Sequence, residues 1–178
     1  MQIFAEATLY ATACIAVATL GMGLCAICGT HWVDARTYHY GLWEYCFKYQ
    51  SQTYSAKCYD IRDIVDVEGY HTFTQVFFVC GVALCLVILL MLGLITCMVI
   101  NEEDRKLFIF VALVFSIIQA SLLFIGLAVF QAKTDKLESE GLDSDWGTAL
   151  GWTTACLSVL NAIIMAVHVI MNRQHYQV

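Results

Sequence analysis

The sequence predicts an α-helical membrane protein, four helices crossing a bilayer with one long loop folded into a small β-sheet. Three observations carry that expectation. Of 178 residues, 60% are apolar and 13% charged, against roughly 45–50% and about 25% in a soluble domain. Asp, Glu, Lys and Arg are absent between Glu6 and Asp34, between Glu68 and Glu102, between Lys106 and Lys133, and between Asp145 and Arg173. Each gap exceeds the ~20 residues that cross about 30 Å of hydrocarbon. Finally, of nine cysteines only Cys46 and Cys58 fall in a segment between the gaps, and they share it.

The gaps place the spans at about 7–29, 73–99, 107–131 and 147–171 of a single domain, 1–178. Hydrocarbon offers no partner to a backbone N–H or C=O, so such runs read as helices. With no proline in the chain, no span carries a proline kink. The first span follows no Lys or Arg, holds Glu6 and is too long for a signal peptide, so it reads as retained. Gly21, Cys25 and Gly29, and Gly147, Gly151 and Ala155, recur at four-residue steps. Small residues on one stripe let helices approach closely in lipid, and bundle packing is their reading. Gln119 and Asn161, near mid-membrane, are expected to hydrogen-bond to each other. His168 is expected to snorkel beside Arg173. No span carries a mid-membrane charge, which argues against a pump or transporter.

In the loop over 30–72, the segment Thr37–Tyr49 alternates in part: Trp43, Tyr45, Phe47 and Tyr49 share one face, Glu44, Cys46 and Lys48 the other. That is a half-buried strand. Gln50–Thr53 reads as its turn and Tyr54–Tyr59 as the return strand. Folding about Gln52 sets Cys46 opposite Cys58, within disulfide reach; the alternative is two free thiols. The aromatic face needs cover, and the outer ends of the helices are the nearest apolar surface. Trp32, Trp146 and Trp152 read as an interfacial belt there. Basic residues do not settle sidedness: Arg105, Lys106 and Arg173 lie on the terminal side and six others opposite. Two cysteines at hairpin spacing suit an oxidising compartment. This places loops 30–72 and 132–146 outside and both termini in the cytoplasm of a multi-pass plasma-membrane protein.

Trp32, then Gly41-Leu42-Trp43, then Cys46 and Cys58 resemble the W–GLW–C–C signature of the superfamily of claudins, peripheral myelin and epithelial membrane proteins, and calcium-channel gamma subunits. Gly147–Trp152 is similar to that family's Gly-Trp opening of the fourth span, so the likeness covers essentially the whole chain. It implies a left-handed four-transmembrane-helix bundle topped by a small extracellular antiparallel sheet from the first loop, with Cys46 and Cys58 bridged. Eight residues separate Trp32 from Gly41, fewer than in typical vertebrate claudins and closer to the myelin and epithelial proteins. Yet the glycosylation sequon of those relatives is missing, so the chain resembles a divergent or invertebrate claudin-like protein.

Two functions follow from the resemblance. One is a cell-junction protein that meets itself or related proteins on the same and opposite membranes, as an adhesive contact, paracellular barrier or ion-selective seal. The other is an auxiliary subunit holding the pore-forming subunit of an ion channel. The two outer loops carry six basic and eleven acidic residues. Asp60, Asp63, Asp66 and Glu68 would attract cations if they lined a gap between cells. Tyr176-Gln177-Val178 matches the free apolar carboxyl end that PDZ scaffolds add as a strand. Cys97, near the inner end of span two, is a candidate for palmitoylation. Cys25-x-x-Cys28 lacks a second pair and reads as helix packing, not metal. His31, His39 and His71 follow no ligand spacing, and no activated nucleophile is evident, so neither catalysis nor a cofactor is expected. A net charge of −6 argues against nucleic acid.

Overall fold

The computed structural model describes residues 2–48, 57–61, 69–97, 101–137 and 142–175. Four helices, α1 (Gln2–Cys28), α2 (Gly69–Cys97), α3 (Glu102–Leu137) and α4 (Trp146–His175), alternate with five short strands. These are β1 (Val33–Ala35), β2 (Tyr38–Tyr40), β3 (Glu44–Phe47), β4 (Cys58–Asp60) and β5 (Leu142–Ser144). All four helices are long and apolar enough to cross a membrane. The charge gaps found the apolar part of each and missed polar turns that continue it. α3 is the clearest case, running six residues past the expected 131 through Lys133 and Lys136. At about 1.5 Å per residue its 36 residues span roughly 54 Å, well beyond a hydrocarbon core.

The helices bury a stripe with a period near 3.5. In α1 it is Leu9, Thr12, Ala16, Thr19, Gly23 and Ala26; in α2 it includes Phe78, Gly81, Cys85, Ile88, Leu92 and Ile95. That repeat keeps one seam of each helix facing its neighbours. The four-residue stripe expected in α1 points elsewhere: Gly21 and Cys25 are exposed, and a side chain at Gly21 would touch nothing. Gly23 is the close-approach site, against Val82 and Thr154. His168 does not snorkel; it is 3% exposed, and its Nδ1 lies 2.7 Å from the Thr8 hydroxyl of α1. It falls on the buried stripe of α4 with Asn161 and Met165, so the helix period overrides its polarity. Most buried hydroxyls, including Thr12, Thr19, Ser116 and Thr154, donate to the carbonyl four residues back. They reach the core without an unpaired donor.

The sheet order is β4-β3-β2-β1-β5, antiparallel throughout. It differs from expectation in two ways. The single strand expected over 37–49 is two, because Gly41-Leu42-Trp43 makes a corner between β2 and β3. The second loop also contributes an edge strand, β5, where only a connection was expected; three residues offer too little alternation to be read as a strand. Tyr49, Gln50–Thr53 and Tyr54–Ala56 lie outside the described residues.

Candidate functional site

The sheet and its seat are the part of the molecule with chemistry to examine. Register puts Tyr59, Tyr45, Tyr40 and Val33 in one row across β4, β3, β2 and β1, with Tyr38 opposite Phe47 on the same face. Tyr38 stacks on Tyr45 at 4.9 Å, and Phe47 meets Tyr45 edge-on at 4.9 Å. Tyr40 reaches His71 of α2 at 6.1 Å, so this face rests on the helices at Tyr40, while Phe47 and Tyr59 toward β4 stay exposed. Burial, reinforced by Tyr70, pushes the Tyr40 phenol far above its ordinary range. Burial also raises Tyr45.

The opposite face is polar. Its central row runs Cys58, Cys46, His39, Asp34 and Asp143. Cys46 and Cys58 are directly opposed, with Cα atoms 4.1 Å apart, and are bridged. Glu44 approaches the two sulfurs, but sulfurs joined in a disulfide offer a metal no thiolate. Lys48 forms an ion pair with Asp34 and donates to Ala35 O at 3.1 Å. His39 stacks on His31. Burial, then the charges of His31 and Lys48, hold the His39 imidazole below its ordinary 6.5, against the pull of Asp34 and Asp145.

The signature residues turn out to be the seat. Trp32 Nε1 donates to Ala26 O at 2.8 Å, and Trp43 Nε1 to Ile27 O at 3.0 Å. Both acceptors lie in the last turn of α1, where carbonyls have no partner within the helix. Trp32 is fully buried and meets Phe78 of α2 and Phe130 of α3 edge-on at 5.4 and 5.2 Å. Its carbonyl accepts from Thr148 Oγ1 at 2.6 Å and from Asp145 N at 3.1 Å. Gly41 lies directly on the Gly29 carbonyl and Thr30, and any Cβ there would strike backbone. Leu42 is buried, and Gln75 of α2 donates to its carbonyl. Trp32, Gly41, Leu42 and Trp43 therefore fasten the sheet to the bundle. Trp43 does not join the aromatic face as its alternation suggested; the corner turns it toward α1.

Other named residues are scattered. Asp60 is exposed on β4, while Asp63, Asp66, Glu68 and the tail Tyr176–Val178 lie outside the described residues. Cys97 is exposed at the end of α2, as are Cys25 and Cys28 along α1. Trp152 packs on Phe124 at 5.3 Å, and Trp146 is 47% exposed. Gln75, Thr148 and the His31–His39 stack were not foreseen. Each acts across chain separations that no local pattern encodes. No family model matches the chain, and no curated protein matches it.

Proposed function

We propose that this chain is a claudin-like cell-junction protein, whose sheet projects from the outer membrane surface and meets copies of itself or its relatives in cis and in trans. One observation carries the reading. A disulfide-closed sheet, fastened to four membrane-length helices, presents an aromatic corner in which Phe47 is 42% and Tyr59 46% exposed. These rings meet edge-on at 6.2 Å on β3 and the edge strand β4. Exposed aromatic rings mark protein interfaces more often than they solubilise a surface. The acids that begin at Asp60 and continue at Asp63, Asp66 and Glu68 supply the negative wall of a cation-preferring seal. Such a wall acts across a gap comparable to the ~8 Å Debye length at physiological salt. Tyr176-Gln177-Val178 would tether the strands to a cytoplasmic PDZ scaffold, and Cys97 would carry a palmitoyl chain.

An auxiliary channel subunit is the second reading, favoured by an open apolar groove of about 550 Å³ between α3 and α4. Ala120, Phe124, Ala162 and Ile163 line it, near the middle of both helices, and leave an apolar surface to which a pore-forming subunit's helix could bind.

Expression in an epithelial layer tests both. The junction reading expects continuous cell-border strands and a diffusion potential favouring sodium over chloride, lost in Asp63→Asn/Asp66→Asn. Diffuse surface staining with co-purification of a pore subunit would replace it by the second reading. Border strands with equal sodium and chloride permeability would remove the cation selectivity alone.

A further inference from the structure

His31 and His39 lie face to face, ring centroids 4.1 Å apart and planes 11° from parallel. His31 follows α1; His39 is the middle residue of β2. Trp146 stacks near His31 at 6.0 Å. His31 Nδ1 is 2.8 Å from Thr30 Oγ1. His39 Nδ1 is buried and has no hydrogen-bond partner among the described residues. Two imidazoles stacked this closely hold one positive charge with difficulty and two only by parting, because like charges about 4 Å apart in a partly desolvated site repel strongly.

The charged groups around the pair come from each neighbouring element. Asp34 stands directly opposite His39 on β1, and Asp143 opposite Asp34 on β5. Lys48, after β3, is paired with Asp34. Asp145 precedes α4 and also acts on His39. The acids favour a proton; His31 and Lys48 oppose it.

The pair also sits on a seam. Trp32 N donates to Tyr40 O at 2.9 Å, joining the residue before β1 to β2; Gly147 N donates to His31 O at 2.8 Å and Asp145 N to Trp32 O at 3.1 Å, joining the approach to β1 to the start of α4. Ring separation at His31 and His39 would pull on all three bonds. We propose that the His31–His39 stack is a proton-operated latch on the sheet, closed when both rings are neutral and opened by acidification of the compartment the sheet faces. It would loosen β1, β2 and β5 while leaving β3 and β4 joined by the disulfide.

The sign follows from the depressed His39. At His39 the folded chain holds its proton less well than the unfolded chain does. Stability from the closed stack is therefore intact above the ordinary 6.5 and is lost as pH falls through the folded value. The working window lies below pH 6.5.

Hydrogen exchange of the full chain in lipid nanodiscs at pH 7.4 and 5.0, corrected for intrinsic rates, reads the latch directly. Protection over 32–40 and 142–147 should fall at least tenfold in the wild type and less than threefold in His31→Asn and in His39→Asn. His71→Asn, on the other side of the sheet, should respond as the wild type does. Equal wild-type protection at both pH values overturns the latch, as does an undiminished fall in both variants. Nitrogen-15 NMR of the histidines in the wild type gives a check that needs no variant. The His39 ring is expected to take its proton below the ordinary 6.5; protonation of His39 at or above 6.5 overturns the proposal.

Discussion

The two ends of the helix bundle are packed with different materials. Beneath the sheet the buried cluster holds Trp32, Tyr40, Phe78 and Phe130 with Leu42, Leu123 and Leu127. At the other end it is Leu9, Ile88, Leu92, Ile95, Ile109, Ala112 and Met165, without an aromatic ring in the fully buried set. Aliphatic packing is non-directional, and in lipid it gains little, since acyl chains are as apolar as leucine. Rings and backbone-directed hydrogen bonds have one good geometry. The sheet end therefore has the contacts that specify a single arrangement, and the far end those that fill space. That is where a protein holding a sheet at a fixed orientation needs specificity.

The largest test of this difference is Trp32→Ala. It removes a fully buried ring, opens a cavity beside Phe78 and Phe130, and leaves Ala26 O without its indole donor. The expected loss is about 3–5 kcal/mol, followed by thermal unfolding in nanodiscs. At the aliphatic end Leu92→Met keeps volume and should cost under about 1.5 kcal/mol. Comparable costs at the two sites would break the comparison.

Cys46→Ser comes next. The disulfide closes a separation of 12 residues, and closing a loop near that size contributes roughly 3 kcal/mol. The loss should be local. β3 and β4 pair with each other and with β2, while the seat is made by Trp32, Gly41, Leu42 and Trp43. Limited proteolysis within 44–60 should accelerate while the helices' melting temperature moves by only a few degrees. Joint loss of sheet and bundle would show that the two are one cooperative unit.

What could be read beforehand divides along the same line. The spans were legible because hydrocarbon forbids charge, and Cys46 and Cys58 because strand geometry relates spacing to opposition. The aromatic face was legible from alternation, except at Trp43. The seat was not. Nothing local says that Thr148 will reach the Trp32 carbonyl across 116 positions, or that Gln75 will find Leu42. β5 is three residues long and exists only because β1 offers it an edge. The fold was thus visible where solvent or the chain's own period dictates it. It was hidden where two distant segments dictate each other.

The smallest expected effect lies between the two ends. Gln119 of α3 and Asn161 of α4 are 1% and 2% exposed, between the aromatic cluster and the aliphatic one along their helices. A hydrogen bond joining them was the natural reading, yet Gln119 Nε2 and Asn161 Oδ1 both lack a partner among the described residues. Each amide thus keeps one atom without a hydrogen-bond partner among the described residues, near the middle of its helix. A buried polar atom without a partner costs about 1–3 kcal/mol, and replacing such groups by apolar ones of like shape is nearly neutral or stabilising. Gln119→Leu should therefore shift stability by less than about 1 kcal/mol, and adding Asn161→Leu should not lower it further. Chemical denaturation of single and double variants in the same lipid measures both. A loss above about 2 kcal/mol from Gln119→Leu, with strong coupling to Asn161, would mean that the two amides are bonded and that the middle of the bundle, like the sheet end, is directionally specified.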